Sequence, residues 1–239
     1  MAAPARRPEP SRRSPDTAAI IVAGGKGLRF GAPIRKQYMQ LQGRPVLWWS
    51  LQAFQKSPSI QSIILVVPVD DVKRLSRRMR AWGLSKLSAI VAGGVTRAHS
   101  VREGLKALTK SVSWVAVHDA VRPLVQPELI EQTLRQARRW GAAIAAAPSK
   151  DTVKLSNGNG CIASTPPRKT VWLAQTPQIF ERRLLEKAHH QGRHLPATDD
   201  AQLVERMGVR VRLVQPSFEN IKVTVPSDLA MAKIILKDR

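Results

Sequence analysis

The amino-acid sequence predicts an α/β fold with a mostly parallel sheet and an inserted β-arm. Up to residue 148, apolar runs of strand length alternate with segments of helical spacing. Such alternation is typical of βαβ units, whose parallel strands are covered by helices on both faces. A stretch rich in turn residues then breaks the alternation between residues 149 and 176, which indicates an arm inserted into the α/β domain.

Apolar periodicity assigns the elements of the sheet in chain order. Apolar runs predict strands at residues 17–23, 62–67, 87–91, 114–118 and 142–148. Helical spacing predicts helices between these strands, at residues 45–54, 70–82, 97–108 and 128–140. Pro45 suits a first helical turn, and Asp70 is a candidate N-cap.

The arm and the carboxyl-terminal part follow the last of these strands. The Asn-Gly-Asn-Gly sequence at 157–160 is a hairpin signal. Short strands are predicted around it, at residues 151–154, 161–164 and 169–173. Beyond the arm we predict helices at 180–190 and 198–207, a partly exposed strand at 209–214, and a final helix that Asp228 caps.

Residues 1–16 differ in composition from the rest of the chain. They contain four Pro and four Arg and no branched apolar residue. Such a segment cannot bury a core, so we predict a disordered tail. Residues 17–239 are predicted to form a single domain that includes the arm, which is compatible with a chain of 239 residues.

The chain is strongly basic, with 39 Lys and Arg against 17 Asp and Glu, a formal net charge of +22. This charge could serve binding to nucleic acid, to an anionic membrane surface or to a phosphorylated small molecule. The few aromatic residues do not alternate with the basic ones as in a base-stacking platform. We therefore favour a solvated basic surface over a dedicated nucleic-acid site.

The single cysteine, Cys161, excludes an intramolecular disulfide and a cysteine-based zinc cluster. No apolar run approaches the roughly 18 residues that a membrane span needs. We therefore expect a soluble, cytoplasmic globular protein without a membrane partner.

The first strand leads directly into a glycine-rich loop, AGGKGLR at residues 23–29. In an open parallel sheet, loops at the carboxyl ends of the strands build the ligand site, and glycines let backbone N–H groups approach phosphate oxygens. The loop matches neither GxxxxGK[ST] nor GxGxxG. However, Lys26, Arg29, Arg35 and Lys36 lie within eleven residues. Glycines followed by fixed cations predict a triphosphate site; a tight turn beside solvated charges is the alternative.

Asp119 follows the fourth predicted strand and is therefore expected at the same edge of the sheet. Its carboxylate could hold a metal or accept a hydrogen bond from a sugar hydroxyl; a loop or N-cap aspartate is the alternative. His118 is expected to pack or to orient a neighbour rather than to act as a base. The sequence contains no HExxH motif, so we expect no metal held by protein ligands alone, but Mg²⁺ held mainly by substrate phosphates.

Several motifs follow one another along residues 17–237. They are IIVAGGKGLRF, RKQYMQLQGRPVLWWSLQAF, AGGVTRAHSVREGL, VHDAVRPLV, KDTVK, QTPQIF, ATDDA and ENIKVTVPSDLAMA. With these motifs the sequence resembles the 2-C-methyl-D-erythritol 4-phosphate cytidylyltransferases of the non-mevalonate isoprenoid pathway. The resemblance implies a Rossmann-like nucleotidyltransferase fold, with an arm that reaches a second subunit of a homodimer.

The resemblance also implies an activity. CTP and a polyol phosphate would react to give 4-diphosphocytidyl-2-C-methyl-D-erythritol and pyrophosphate, with Mg²⁺ as the cofactor. A cytidylyltransferase for ribitol phosphate or another pentitol phosphate is the alternative within this class. A basic nucleic-acid-binding protein is the alternative from a different class.

The motifs assign roles to individual residues by resemblance. The phosphate-binding catalytic cations would be Arg29, Lys36 and Lys222. The nucleotide-binding residues would be Ala23, Gly24, Gly25, Gly27, Gly94, Ser100 and Asp119. Asp119 would also approach the acceptor, which the arm residues Thr152 and Arg168 would hold. Thr176 would have a supporting role.

The sequence departs from the family pattern at a few positions. Gly24 stands where alanine is usual, which makes the loop more flexible. Arg35 stands where a proline usually precedes the loop lysine, so the loop is more cationic. Val95 stands where an acidic residue is common in the base pocket, so that side chain cannot contribute to selection of CTP over UTP.

Overall fold

The computed structural model describes residues 16–24 and 35–238. Its strands are β1 (Thr17–Val22), β2 (Gln40–Leu41), β3 (Arg44–Pro45), β4 (Ile60–Val67), β5 (Leu87–Ala92), β6 (Trp114–Asp119), β7 (Ala142–Pro148), β8 (Leu155–Ser156), β9 (Ile162–Ser164), β10 (Trp172–Glu181) and β11 (Arg212–Val214). Its helices are α1 (Val46–Lys56), α2 (Val69–Met79), α3 (Arg97–Lys106), α4 (Pro127–Trp140), α5 (Arg182–Gln191), α6 (Asp200–Glu205) and α7 (Pro226–Lys237).

The centre of the molecule is a seven-stranded sheet with the order β11-β7-β10-β6-β1-β4-β5. β1 pairs in parallel with both β4 and β6, and β5 and β11 are also parallel to their neighbours. Only β10 runs antiparallel among these strands, between β6 and β7. The predicted α/β class with a mostly parallel sheet is therefore confirmed.

Apolar side chains on both faces of the sheet explain why its strands are continuous apolar runs. In β1, Ala19 and Ile21 pack in a cluster with Leu51 of α1 and Leu134 of α4. The alternate residues Ala18 and Ile20 pack on the opposite face with Val101 of α3 and Leu185 of α5. Because successive strand side chains point to opposite faces, a strand covered on both sides cannot alternate between apolar and polar residues.

The prediction for residues 169–190 was wrong in part. A helix was expected from residue 180, after a short strand at 169–173, but β10 extends from Trp172 to Glu181 and α5 begins only at Arg182. The polar Gln-Thr-Pro-Gln sequence at 175–178 resembles a loop. In the fold, Thr176 and Gln178 are buried and hydrogen-bonded inside the sheet. Distant partners therefore determine this strand, and local periodicity does not show them.

Two helix starts also differ from their predictions. α2 begins at Val69, so Asp70 lies in its first turn rather than at its N-cap. Val225 is the N-cap of α7, and Asp228 stands three residues later. The Asp228 carboxylate accepts hydrogen bonds from the backbone N–H groups of Thr224 and Val225, at 2.7 and 2.9 Å. Asp228 thus satisfies free donors at this helix start from inside the first turn.

The arm contains a hairpin at the predicted turn, but its first strand is Leu155–Ser156 and not the predicted 151–154. β8 and β9 pair antiparallel across the turn at 157–160. Leu155 and Ile162, the apolar side chains of the two strands, are 51% and 64% exposed. Within the described residues, no helix combines the length and the apolar composition that a bilayer crossing requires.

Asp16 is the first described residue and is fastened to the domain. Its backbone carbonyl accepts hydrogen bonds from the N–H groups of Ser113 and Trp114, and its carboxylate pairs with Arg138 at 2.7 Å. The predicted tail otherwise lies outside the described residues.

We expect a chain that begins at Asp16 to keep the melting temperature and the activity of the full chain, because the residues removed contain no branched apolar side chain. Thermal unfolding of both chains under the same conditions is the measurement. A fall of more than about 4 °C, roughly 1 kcal/mol, would show that the removed segment packs on the domain.

Candidate active site

A cleft of about 570 Å³ opens where β1, β5 and β6 reach their carboxyl ends. The lining residues are Val22, Ala23, Gly24, Lys36, Gln37, Gly94, Val95, Thr96, Arg97, Ser100, Asp119, Val121 and Lys222. This edge of a parallel sheet is where open α/β folds bind ligands. The fold thus brings together residues that stand up to about 200 positions apart in the chain.

Asp119 is buried in the cleft between cationic side chains. Lys222 Nζ lies 2.7 Å from its Oδ2, and Arg97 Nε lies 3.2 Å from its Oδ1. Burial alone would raise the pKa of Asp119, but the charges of Arg97 and Lys222 outweigh it and hold the pKa well below 3.8. The carboxylate is therefore ionised at neutral pH and fixes both cations at the cleft.

A second set of hydrogen bonds holds the Asp119 backbone. Its N–H group donates to Thr176 Oγ1 over 3.1 Å, and Thr176 Oγ1 lies 3.0 Å from His118 Nδ1. His118 Nε2 lies 3.3 Å from the carbonyl oxygen of Arg122, which can only accept. Nε2 is therefore the protonated nitrogen, and Nδ1 accepts from the Thr176 hydroxyl. Burial lowers the pKa of His118 to about 3, so this imidazole is neutral and serves to orient its neighbours.

The glycine turn after β5 forms another wall of the cleft and packs closely against α3. A Cβ atom added to Gly94 would lie 2.0 Å from the His99 ring, so a larger residue does not fit without rearrangement. The Gly94 N–H group donates to Ser100 Oγ over 3.2 Å, and Thr96 caps α3 by accepting from the His99 N–H group over 3.0 Å. Val95 is 96% exposed at the mouth of the cleft.

Comparison with models of known protein families shows to which family the chain belongs. The model for 2-C-methyl-D-erythritol 4-phosphate cytidylyltransferase, also called IspD, matches residues 17–238. The chain belongs to this cytidylyltransferase family. The resemblance predicted from the motifs is therefore confirmed.

Individual members of the cytidylyltransferase family are similar over nearly the whole chain. The 2-C-methyl-D-erythritol 4-phosphate cytidylyltransferases of Alkaliphilus oremlandii and Desulforamulus reducens are 43% and 44% identical to it, over 93% and 92% of this chain and 96% of each relative. The crystal structure of the 4-diphosphocytidyl-2C-methyl-D-erythritol synthase from Anaerococcus prevotii superposes with a TM-score of 0.82 at 33% identity, covering 94% of this chain and all of that one. The Francisella tularensis enzyme superposes with a TM-score of 0.77 at 30% identity, covering 92% and 99%.

The structure does not place every residue that the cytidylyltransferase resemblance assigned to the site. Gly25, Gly27 and Arg29 lie outside the described residues. Thr152 and Arg168 are exposed on the arm and do not line the cleft of their own chain. These two residues can therefore make the predicted contact with the acceptor only in a cleft other than that of their own chain.

Arg97 is a site residue that the sequence analysis missed. Its guanidinium lies between two carboxylates, with Nη1 2.6 Å from Asp200 Oδ2 and Nε 3.2 Å from Asp119 Oδ1. Asp200 also lies 2.9 Å from His189 Nε2. Arg97 and Asp200 fall within two of the motifs given above, AGGVTRAHSVREGL and ATDDA respectively. Local periodicity reveals only a helix start at Arg97, and nothing in the sequence pairs it with a residue about 100 positions later.

The Arg97–Asp200 pair gives a prediction for stability. We expect Asp200→Asn to lower the free energy of unfolding at pH 7 by about 3 kcal/mol, because it removes the charge of a fully buried partner of Arg97. Burial alone would raise the pKa of Asp200, but Arg97 outweighs it and lowers the pKa below 3.8. This carboxylate therefore stabilises the fold above pH 3.8, and the contribution is lost as the pH falls through the lowered pKa.

Urea unfolding at pH values from about 7 down to about 3 measures this difference. The difference in stability between the wild type and Asp200→Asn should become smaller as the pH falls below 3.8. Glu205→Gln, an exposed carboxylate on the same helix, is the matched control and should change little. An equal difference between wild type and Asp200→Asn at every pH would contradict the role of the ionised carboxylate.

Proposed function

We propose that this chain transfers CMP from CTP to 2-C-methyl-D-erythritol 4-phosphate, giving 4-diphosphocytidyl-2-C-methyl-D-erythritol and pyrophosphate. The observation that carries the proposal is the cleft itself. An ionised Asp119 holds Lys222 and Arg97 at the edge of the sheet, and Lys36 lines the same cleft. The named relatives act on 2-C-methyl-D-erythritol 4-phosphate, and none of those reported above supports a pentitol phosphate in its place.

The reaction explains why the cleft is rich in cations. An oxygen of the acceptor phosphate attacks the α-phosphorus of CTP, the bond from that phosphorus to its bridging oxygen breaks, and pyrophosphate leaves. The attacking oxygen is already anionic, so the step needs no general base. Repulsion between phosphates and charge on the bridging oxygen make up the barrier, and fixed cations such as Lys36 and Lys222 lower it.

Mg²⁺ is the proposed cofactor, and the donor set agrees with an ion held mainly by CTP phosphates. Across residues 16–24 and 35–238, no three or more His, Cys, Asp or Glu side chains are grouped to hold an ion. Asp119 is the ionised carboxylate in the cleft lining and could supply one oxygen. When bound, the ion would neutralise phosphate charge, while Lys36 and Lys222 bind the remaining phosphate oxygens.

We propose that the arm completes the site of a second copy of this chain. An isolated hairpin is marginally stable in water, and both strands of this one expose their apolar side chains. Arg168 is exposed at the base of the arm and contacts the backbone carbonyl of Lys150 at 3.3 Å. A guanidinium presented in this way suits the phosphate of the acceptor, and Thr152 would lie beside it.

A cytoplasmic location also remains a prediction, based on the single cysteine.

Pyrophosphate release tests the proposed function. Purified chain is supplied with CTP and in turn with 2-C-methyl-D-erythritol 4-phosphate, ribitol 5-phosphate and erythritol 4-phosphate. We expect kcat/KM for the methylerythritol compound to exceed the others by about 10-fold or more. Equal kcat/KM for ribitol 5-phosphate would overturn the acceptor, and no CTP-dependent release would overturn the activity.

The same assay tests the nucleotide. We expect CTP to be preferred over UTP by about 10-fold in kcat/KM, because the cytosine amino group can donate to backbone carbonyls of the cleft where uracil cannot. The side chain of the exposed Val95 offers no acceptor, so backbone carbonyls such as those around Gly94 must supply the contact. Equal kcat/KM for CTP and UTP would refute this base pocket.

A further inference from the structure

A cluster of side chains behind the cleft surrounds Asp71, which lies in the first turn of α2. Its buried carboxylate pairs with three side chains: Tyr38 Oη donates to Oδ2 over 2.8 Å, Arg74 Nη2 donates to Oδ1 over 2.8 Å, and Arg35 Nη1 pairs with Oδ2. Burial alone would raise the pKa of Asp71, but the hydrogen bonds from Tyr38 and Arg74 outweigh it and lower the pKa. The carboxylate is therefore ionised at neutral pH.

Two partners of Asp71 flank the cleft lysine. Arg35 and Tyr38 bound one tight turn, in which the Tyr38 N–H group donates to the Arg35 carbonyl over 2.9 Å. Inside the turn, the buried Gln37 side chain donates to the carbonyl of Ala23 over 2.8 Å, just after β1. The turn is thus fastened to α2 at both ends and to the exit of β1 in the middle. Lys36 is the cation of this turn that lines the cleft.

Charge explains why the fastening point is a carboxylate. Arg35 and Arg74 both reach Asp71, and the Arg74 guanidinium also stacks 4.7 Å from the centroid of the Tyr38 ring. Together with Lys36 they place three cations around one turn. Without a negative charge between them, Arg35 and Arg74 would repel each other and the turn would lose its attachment to α2.

We propose that Asp71 is a positioning residue for Lys36. Asp71 does not line the cleft. It acts through Arg35 and Tyr38, which fix the backbone on both sides of Lys36. The backbone that carries the Lys36 ammonium group is therefore already ordered before the triphosphate binds. A preorganised donor binds developing charge more effectively than one that must be ordered on binding. This inference rests on the proposed function, because it takes CTP as the ligand of Lys36.

The first test replaces Asp71 and measures CTP binding by calorimetry beside turnover. We expect Asp71→Asn to raise the Kd for CTP and to lower kcat/KM for CTP, each by about 10-fold, with KM for the acceptor changed less than about twofold. Tyr38→Phe keeps the carboxylate and removes one hydrogen bond, so its effect should be about threefold. Asp70→Asn is the matched control, since Asp70 is an exposed carboxylate in the same helical turn. An unchanged CTP affinity in Asp71→Asn would overturn the proposal.

A double-mutant cycle separates positioning from general stabilisation of the fold. If Asp71 acts through Lys36, then Asp71→Asn should raise the Kd for CTP by about 10-fold in the wild type. In the Lys36→Ala background the same substitution should raise this Kd by less than about twofold. A role in overall stability alone would give the same factor in both backgrounds. If the effects of the two substitutions on CTP affinity simply multiply, the proposal is refuted even when Asp71→Asn alone binds CTP more weakly than the wild type.

The calorimetric measurement of CTP affinity distinguishes failure of the role proposed for Asp71 from failure of the proposed function. A wild-type chain that binds CTP but releases no pyrophosphate with the acceptor would refute the proposed function, while the effect of Asp71→Asn on CTP affinity would still decide the role of Asp71. A wild-type chain that binds no CTP would overturn both.

Discussion

Replacing Lys36 by alanine is expected to lower kcat by about 10²–10³-fold and to leave the fold intact. Lys36 lines the cleft at the edge of the sheet, where it would meet the charge of the triphosphate. Loss of one preorganised donor to developing charge typically has an effect of this size in rate. Steady-state pyrophosphate release with CTP measures it, with thermal unfolding as the check on the fold.

Lys56→Ala is the matched control for Lys36→Ala. Lys56 is an exposed lysine at the end of α1 and does not line the cleft. Its replacement removes the same charge from the chain, so any effect of net charge on CTP binding appears in both variants. A Lys36→Ala enzyme within about threefold of wild type would remove Lys36 from the catalytic assignment.

Arg168→Ala is expected to lower kcat/KM for the acceptor by about 10–100-fold, because a charge-assisted contact with its phosphate would be lost. Arg168 is exposed on the arm and does not line the cleft of its own chain. The loss should therefore affect a site on the partner subunit. KM for CTP should change little, which distinguishes this variant from Lys36→Ala.

Mixing these two impaired variants tests whether the arm works between subunits. In a heterodimer of Arg168→Ala and Lys36→Ala chains, one of the two sites combines an intact Lys36 with an intact arm from the other chain. Random exchange makes about half of the dimers mixed, so about a quarter of wild-type activity should return. No recovery between chains shown to exchange would place Arg168 in the site of its own chain. A fully active monomer in sedimentation would refute the dimer.

Much of the fold follows from the sequence because burial on both faces makes each parallel strand a continuous apolar run. The strands at residues 17–23, 62–67, 87–91, 114–118 and 142–148 were predicted to within about two residues of those observed. The same reasoning places loops at the carboxyl ends of these strands, so Gly24 and Asp119 were expected at one cleft, and the family resemblance added Gly94. All three residues line the observed cleft.

Only the tertiary structure decided the interior strand β10 and the charge pairs of the site. Thr176 and Gln178 are polar residues that lie inside a sheet because Asp119 and the start of α6 supply their hydrogen-bond partners. Arg97 with Asp200, and Arg35 with Asp71, are likewise pairs separated by 103 and 36 positions. Apolar periodicity reports burial along one element at a time. Buried polar side chains are stable only where a distant partner satisfies them, and that pairing exists only once the chain has folded.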